Sequence, residues 1–218
     1  MENKRVIIIG SGGHGAEIDE YIATMNKHSN DMKIQVAGFL DDNPSNYASY
    51  QFSAPLLGNI KKHRIQHDVF YVIGIANQEY RRTFVEYFLE NNAQFMNIIH
   101  PAATISKSAS MGTGNVIGPM VNIGPNVKIG DFNLVNSRSS LGHDTTIGNY
   151  NFISPNVSFS GFTKVGDDNL FGINSATIPD TSIGSRNRIM AGMIIDKPVK
   201  DDSTVFYRYK EKIMAIRK

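Results

Sequence analysis

The second half of the chain repeats a large apolar residue every six positions. Sixteen positions from Ile105 to Ile195 fall in this frame, and Thr177 is the only one among them that is not apolar. The frame consists of Ile105, Met111, Ile117, Ile123, Ile129, Val135, Leu141, Ile147, Ile153, Phe159, Val165, Phe171, Thr177, Ile183, Ile189 and Ile195. This period differs from that of an amphipathic helix and from plain strand alternation. It predicts a triangular coil in which three six-residue units complete a turn and stacked turns pair as parallel strands about 4.8 Å apart.

Small residues accompany this frame. The in-frame residue is followed by Gly112, Gly118, Gly124, Gly130, Gly142, Gly148, Gly166, Gly172 and Gly184. We expect the large apolar residue to point into a narrow core, and glycine or asparagine next to each corner to tolerate unusual backbone angles. No long insertion interrupts the frame, so a partner must approach the flat faces or the ends.

The first hundred residues alternate strands with helices. We predict strands over residues 5–9, 34–40, 69–75 and 95–99, helices over 16–26 and 78–90, and a turn over 41–44. This alternation predicts a small parallel sheet with ligands at the carboxyl ends of its strands. His100-Pro101 marks the expected boundary. The predicted domains are therefore 1–100, 101–198 and a tail over 199–218 that packs on the last coil.

A glycine-rich turn follows the first predicted strand. Its residues, 10–15, read Gly-Ser-Gly-Gly-His-Gly and lead into a helix, an arrangement whose backbone N–H groups and helix dipole favour phosphate. Gly10, Gly12 and Gly15 also satisfy the dinucleotide fingerprint, and Asp41 follows where a ribose-binding acid could lie. The domain is only half of a dinucleotide fold, however. We therefore expect a single nucleotide or a nucleotide-linked sugar here instead of NAD.

Composition narrows the chemistry. The chain has no cysteine, and His143 is the only one of six histidines within the repeats, so a zinc site with three protein ligands is not expected. With 22 basic and 20 acidic residues, the chain has no electrostatic footprint for nucleic acid. The apolar run over residues 6–9 is too short for a signal peptide or a membrane span. We expect a cytoplasmic protein without nucleic-acid or membrane partners.

One polar pair within the repeats could carry chemistry. His143 is the third residue of the unit 141–146, so its side chain should project near a corner, and Asp144 follows it directly. A carboxylate beside an imidazole can fix its tautomer and raise its basicity. On the residues alone, an exposed polar turn is an equally good interpretation.

Five motifs of the chain resemble those of a known protein family. They are Gly-Ser-Gly-Gly-His-Gly at 10–15, Leu-Asp-Asp at 40–42, Ala-Asn-Gln-Glu-Tyr-Arg at 76–81, His-Asp at 143–144 and Phe-Gly-Ile-Asn-Ser at 171–175. With them the chain resembles the sugar O-acyltransferase family, which includes sialic acid O-acetyltransferases and nucleotide-amino-sugar N-acetyltransferases of the bacillosamine type. The resemblance implies an α/β Rossmann-like half domain followed by a left-handed parallel β-helix, and a homotrimer with active sites between subunits. The left hand comes from the resemblance, because the general rule for parallel crossovers would give the opposite.

The resemblance also implies site residues. His143 falls on the catalytic base and Asp144 on its acidic partner. The positions implied for the nucleotide-sugar are Gly12, Gly13, His14, Asp41, Asp42, Ala76, Asn77 and Asn136. Those implied for acetyl-CoA are Phe152, Gly161, Ile173 and Ala191. Phe152 stands where some members have a histidine, and the family's Gly-x-Pro-Ala ending is absent.

These implications define the leading hypothesis, an acetyl-CoA-dependent N-acetyltransferase acting on a nucleotide-linked 4-amino sugar, without a metal. His143 would act as general base for direct attack on the thioester. A sugar O-acetyltransferase of the sialic acid type is one alternative, and the same base would serve its hydroxyl acceptor. A non-catalytic nucleotide-sugar-binding scaffold is the other.

Overall fold

The computed structural model describes residues 4–29 and 33–207, which form a parallel sheet with helices followed by a coil of short strands. The sheet consists of β1 (Lys4–Ile9), β2 (Ile34–Leu40), β3 (Leu56–Gly58), β4 (Phe70–Ile73) and β5 (Gln94–Phe95). The helices are α1 (Gly13–His28), α2 (Pro44–Ala48) and α3 (Gln78–Glu90). The strand order β3-β2-β1-β4-β5 is that of a Rossmann-like half domain, so the predicted α/β class is confirmed. None of the described helices has the length and apolar character needed to cross a membrane.

The glycine-rich turn brings α1 unusually close to the sheet. A methyl group on Gly15 would lie 2.2 Å from the carbonyl oxygen of Gly10, and one on Gly74 would lie 3.0 Å from the Cα of Gly15. Gly10 itself has φ +99°, a conformation that L side chains rarely adopt. These glycines therefore let the first turn of α1 lie directly over the ends of β1 and β4.

The prediction of one strand over residues 95–99 is wrong. Gln94–Phe95 pairs with β4, whereas Ile98–Ile99 pairs with Val116–Ile117 and so belongs to the coil. Between them, the side chain of Asn97 donates to the carbonyl of Gly112 at 2.8 Å and accepts from the backbone N–H of Asn115 at 2.8 Å. The chain therefore changes structural unit at Asn97. The predicted turn over 41–44 leads into α2, and strand β3 was not predicted.

The coil is a triangular prism with three faces of parallel two-residue strands, as the six-residue period predicted. Face 1 contains Ile98–Ile99, Val116–Ile117, Leu134–Val135, Phe152–Ile153, Leu170–Phe171, Arg188–Ile189 and Thr204–Val205. Face 2 contains Thr104–Ile105, Asn122–Ile123, Ser140–Leu141, Ser158–Phe159, Ala176–Thr177 and Ile194–Ile195. Face 3 contains Ser110–Met111, Lys128–Ile129, Thr146–Ile147, Lys164–Val165 and Ser182–Ile183. We call the corners turn 1–2, turn 2–3 and turn 3–1 after the faces that they join.

The second residue of each coil strand is the in-frame residue, and from Ile117 to Ile195 these side chains are buried in one continuous core. Thr177, the polar exception, is satisfied inside this core, because its Oγ1 lies 2.9 Å from Oγ1 of Thr163 and accepts from the N–H of Ser160. The core therefore tolerates a hydroxyl where a second hydroxyl meets it.

The expected role of the glycines needs correction. The left-handed backbone conformation falls on the third residue after the in-frame positions from Met111 to Ile189. Gly114 and Gly192 adopt it, as do twelve non-glycine residues from Met120 to Arg186 at φ 56–60°. The expectation holds for asparagine at three of these corners, but the nine glycines that directly follow an in-frame residue serve close approach instead. A methyl group on Gly124 would lie 2.9 Å from the N of His143, and one on Gly142 would lie 2.7 Å from the N of Gly161. Backbones of successive turns therefore meet where these glycines stand.

A ladder of asparagines runs inside turn 3–1. Its members, spaced 18 residues apart, are Asn97, Asn115, Asn133, Asn151, Asn169 and Asn187. Each side-chain oxygen accepts from the backbone N–H of the next member at 2.8–3.0 Å. Because the members from Asn115 to Asn187 are buried, a missing side chain there would leave a backbone donor without a partner. The ladder therefore fixes the register of successive turns.

The N-terminal domain packs against face 1 and turn 3–1. Ile18 and Ile22 of α1 share one apolar cluster with Val116 and Leu134 of face 1. At turn 3–1, Arg82 of α3 forms an ion pair with Asp168. Buried apolar side chains therefore join the sheet domain to face 1, and the ion pair between Arg82 and Asp168 adds a polar contact at turn 3–1.

The coil strands extend past the predicted boundaries at both ends. Ile98–Ile99 precedes residue 101, and Thr204–Val205 continues face 1 beyond residue 198. The described part of the predicted tail thus pairs with the coil through Thr204–Val205. Residues 208–218 of that tail lie outside the described residues. The domain boundaries themselves stay predictions.

Candidate functional site

A cleft of about 510 Å³ opens at the carboxyl ends of the sheet strands. Its lining includes six predicted site residues, namely Gly12, Gly13, His14, Asp41, Asp42 and Ala76. Tyr80 and Phe84 of α3 form another wall that was not predicted. The N-terminus of α1 faces this cleft through Gly12 and Gly13, so backbone N–H groups are available to a phosphate there.

Asp41 is occupied within the protein. Its Oδ2 accepts from the backbone N–H and the hydroxyl of Ser11 at 2.7 and 2.9 Å, and its Oδ1 accepts from the N–H of Asn43 at 2.8 Å. The amide of Asn46 donates to both oxygens. Asp41 therefore ties the glycine-rich turn to the loop after β2. A carboxylate so fully engaged is a poor ribose ligand, which argues against the dinucleotide interpretation.

Two other predicted residues, Asp42 and Asn77, form hydrogen bonds that fix segments around the cleft. Asp42 accepts from the N–H of Ile60 at 2.9 Å through Oδ1. Asn77 caps α3, because its Oδ1 accepts from the N–H of Tyr80 at 3.1 Å. Asn77 is not among the residues that line the cleft. Its position makes it a structural residue of this site.

His14 lies where the cleft meets the coil. Its Nδ1 donates to Glu17 at 2.7 Å, and its ring packs edge-on against Phe152 with centroids 5.6 Å apart. Asn136 lies in the same narrow space between α1 and face 1 and donates to the carbonyl of Ile153 at 3.1 Å. Phe152 and Asn136 are thus neighbours of His14 in this chain, on the side of the coil away from His143.

The predicted His–Asp pair is formed at turn 2–3. The Nδ1 of His143 donates to Oδ2 of Asp144 at 2.9 Å, and Asn126 of the preceding turn donates to Oδ1 at 3.1 Å. These two hydrogen bonds, that of His143 above all, hold the pKa of Asp144 below its usual value. Because an ionised carboxylate only accepts, Nδ1 carries the proton and Nε2 is left as the basic nitrogen.

The next turn of the coil completes the surroundings of His143. Gly161 lies directly over the imidazole, since a methyl group there would come within 2.7 Å of Nε2. Phe162 packs against the imidazole with centroids 5.1 Å apart and an angle of 88° between the rings. Neither Asn126 nor Phe162 was predicted from the sequence. Their spacing of about 18 residues from the pair was the signal that could have found them.

The structure separates the predicted site residues into two groups. His143 and Gly161 lie at turn 2–3, whereas Asn136, Ile173 and Ala191 lie at turn 1–2, across face 2. Turn 2–3 is also the corner opposite face 1, on which the N-terminal domain sits. One chain therefore does not bring the cleft to the imidazole. Within the described residues, no group of three or more histidine, aspartate or glutamate side chains is placed to hold a metal ion.

Fold and site together define a hexapeptide-repeat β-helix protein that carries a Rossmann-like half domain. Residues 5–88 match the PglD N-terminal domain. The chain is 33% identical over 116 residues to UDP-N-acetylbacillosamine N-acetyltransferase from Bacillus subtilis (strain 168), and the match covers 52% of this chain and 51% of that one. The matched segment thus spans about half the length of that relative.

Two solved structures extend the likeness over nearly the whole chain. The acetyltransferase domain of PglB from Neisseria gonorrhoeae FA1090, in complex with acetyl coenzyme A, is 25% identical with a TM-score of 0.79, covering 93% of this chain and 96% of that one. A variant of perosamine N-acetyltransferase from Caulobacter crescentus, in complex with CoA and GDP-perosamine, shares the fold with a TM-score of 0.79 at 22% identity, covering 91% of each chain. The predicted left-handed β-helix fold and the predicted resemblance to the hexapeptide-repeat sugar acyltransferases are both confirmed.

Proposed function

We propose that the protein is an acetyl-CoA-dependent N-acetyltransferase whose acceptor is a nucleotide-linked 4-amino sugar, with no metal in the reaction. The single observation that carries this proposal is the formed His143–Asp144 pair with its basic Nε2 directed away from the carboxylate. The names of the similar proteins supply the class of acceptor. Acetyl-CoA is the co-substrate, as in the complex of the PglB domain.

The chemistry needs one base. The acceptor nitrogen attacks the thioester carbonyl carbon while Nε2 of His143 takes a proton from that nitrogen, and a C–N bond forms. The tetrahedral intermediate then collapses, the C–S bond breaks, and the departing CoA sulfur takes the proton back from the imidazolium. Asp144 keeps the imidazole in the tautomer with a free Nε2 and stabilises the imidazolium.

The acceptor would lie with its nucleotide in the cleft after β1, β2 and β4. Gly12 and Gly13 offer backbone N–H groups to a diphosphate at the start of α1. From there a groove of about 980 Å³ continues past His14 and Tyr50 to Pro119 and Ser137 of turn 1–2. The sugar would follow this groove, since it leads from the cleft to the coil surface.

A homotrimer would join the two groups of site residues. The outward side chains of face 2 are uncharged, namely those of Thr104, Asn122, Ser140, Ser158, Ala176 and Ile194. Six large apolar side chains stand exposed on this face and its two flanking turns, namely Met120, Phe162, Ile173, Ile178, Met190 and Ile194. Face 3, in contrast, presents Lys128 and Lys164. Face 2 therefore suits contact with a second copy, which would bring its turn 2–3 beside turn 1–2 of the first.

Acetyl-CoA would lie along that contact. Gly161 of one copy and Ile173 and Ala191 of the next would form its two sides, which accounts for their separation within one chain. Phe152 is the least suited of the predicted contacts, because it packs against His14 beneath the N-terminal domain. A cytoplasmic location is retained as part of the proposal.

The test is release of free thiol from acetyl-CoA with a panel of nucleotide-linked 4-amino sugars and free sialic acid, with His143→Ala as the inactive control. Turnover with an amino sugar supports the proposal. Turnover with sialic acid alone would assign the protein to O-acetylation. Nucleotide-sugar binding without any thiol release would assign it to the non-catalytic scaffold class.

A further inference from the structure

Phe162 holds a backbone conformation that aromatic residues rarely adopt. Its φ is 59°, in the left-handed region, where asparagine and aspartate are favoured among residues with side chains. The equivalent corner positions of turn 2–3 are Asn126, Asp144 and Asp180, which follow that preference. Phe162 is also 49% exposed. Neither backbone preference nor burial explains an aromatic ring at this position.

Packing explains the other aromatic corner residues but not this one. Phe132 and Tyr150 also have positive φ, yet they stack on each other, and α3 covers them through Arg82, which lies 4.8 Å from the centre of the Tyr150 ring. The ring of Phe162 instead meets His143, and its backbone N–H donates to the carbonyl of His143 at 3.0 Å. Within one chain, the ring that Phe162 contacts is therefore that of His143.

The imidazole occupies a slot built by three neighbours. Asp144 accepts from Nδ1, Gly161 leaves room over Cε1 and Nε2, and the ring of Phe162 stands at right angles to the imidazole. The side chain of His143 is 55% exposed, and one hydrogen bond to a partly exposed carboxylate restrains a side chain only weakly in water. An edge-on ring contact adds the missing restraint.

We propose that Phe162 is a positioning residue, whose ring confines His143 to the rotamer in which Nδ1 donates to Asp144 and Nε2 faces the acceptor. This inference rests on the proposed function for its consequence in catalysis. The contact itself can be tested without activity, because the tautomer and rotamer of His143 are observable in the free protein.

The experiment compares Phe162→Asn, which removes the ring and suits the backbone, with Phe162→Tyr, which keeps the ring. Met120→Asn is the matched control, because Met120 is also exposed, apolar and left-handed at φ 58°, but lies at turn 1–2. The tautomer of His143 is read by nitrogen NMR, with its signal assigned by its loss in His143→Ala. Melting temperature, sedimentation, kcat and KM are measured on each variant.

For Phe162→Asn we expect more of the Nε2–H tautomer and a rise of the pKa of Asp144 towards its usual value, because the hydrogen bond from His143 is its main cause of lowering. We expect kcat to fall about tenfold with little change in the KM for acetyl-CoA. Met120→Asn, which removes another exposed apolar side chain from the proposed subunit contact, should leave the tautomer of His143 unchanged. Phe162→Tyr should restore both the tautomer and kcat.

An unchanged tautomer in Phe162→Asn would overturn the proposal, whatever happens to turnover. If that variant sedimented as a smaller species with the tautomer intact, Phe162 would be a subunit-contact residue instead. The two proposals fail separately. Full turnover in His143→Ala would reject the catalytic base, whereas the tautomer of His143 would still report on Phe162.

Discussion

A methyl group on Gly161 would lie 2.7 Å from both Cε1 and Nε2 of His143. Gly161 has no left-handed φ that would itself forbid a side chain, and the three atoms nearest to such a methyl group all belong to the imidazole. We predict that Gly161→Ala displaces the imidazole from Asp144 and lowers kcat by about 10- to 100-fold, while the melting temperature changes little. Steady-state kinetics and thermal unfolding check this.

A double-mutant comparison controls the Gly161 prediction. In the His143→Ala background, Gly161→Ala should lower kcat no further, because the imidazole that it displaces is already absent. An additional loss in that background would mean that Gly161 matters for acetyl-CoA directly, as the resemblance to the acyltransferases implies.

Removal of the base should separate activity from binding. His143→Ala is expected to lower kcat by about 10²–10⁴-fold, since that is the usual contribution of a general base. Because the side chain projects from the coil, melting temperature and acetyl-CoA affinity should stay near those of the wild type. Thiol-release kinetics, calorimetry and thermal unfolding test this. Near-normal turnover would place the base elsewhere, with His14 as the first substitute to examine.

Asp144→Asn should lower kcat less than His143→Ala does, because the imidazole remains and loses only the negative charge that stabilises its protonated form. The lowered pKa of Asp144 also sets its pH behaviour. The stabilisation linked to this carboxylate is present above its unfolded pKa and is lost only as pH falls through the lower folded value. Around neutral pH, the melting temperatures of the wild type and of Asp144→Asn should therefore change with pH in the same way. Equal damage from the two substitutions would give Asp144 a larger role than orientation.

The cleft can be closed at Gly12 without strain. A side-chain carbon there meets no atom within 4 Å, and the residue has an ordinary φ of −83°. We predict that Gly12→Leu folds normally and loses calorimetric binding of nucleoside diphosphates and their sugars. Gly12→Ala should be intermediate and serves as the graded control. Tight binding of NAD, with no response to nucleotide-sugars, is the contrary result.

The register of the coil can be tested on a single strand. Ile147 points into the core, and its neighbour Thr146 faces solvent. Ile147→Asp buries an unpaired charge in a narrow apolar space, so we predict loss of the cooperative melting transition and of soluble protein. Thr146→Asp should melt like the wild type. Equal melting of the two variants would contradict the inward register, and Ile129→Asp with Lys128→Asp repeats the test one turn away.

Arg81 is a buried charge on the apolar side of α3. It is 1% exposed, and none of its three guanidinium nitrogens has a hydrogen-bond partner in the described part of the chain. Burial lowers its pKa to about 10. We predict that Arg81→Met increases the free energy of unfolding by about 1–3 kcal/mol, because it removes a desolvated charge and keeps an unbranched chain. Chemical denaturation measures this, with the exposed Arg64→Met as control. A lower free energy of unfolding in Arg81→Met would contradict this and would indicate that the guanidinium has a hydrogen-bond partner in solution.

Much of this molecule follows from short-range patterns. The six-residue frame specifies the coil, because each unit repeats the same contacts with units 18 residues away, and the inward position needs only an apolar side chain of suitable size. The strand–glycine–helix order likewise predicts the Rossmann-like half and its cleft, because those features depend on neighbouring residues. The hydrogen bond between His143 and Asp144 was also predictable, because the two residues are adjacent in sequence. Its role in catalysis stays a prediction.

Tertiary structure decided what depends on contacts between distant segments. The sequence does not show that the carboxylate of Asp41 accepts hydrogen bonds from Ser11 and Asn46, because these residues meet only in the folded protein. Likewise, Phe162 meets His143 only because one turn of the coil stacks on the next. The docking of α1 on face 1 put the cleft on the side of the prism away from turn 2–3. Side-chain pattern alone cannot specify that choice, because it arises from burial between two surfaces that are distant in sequence.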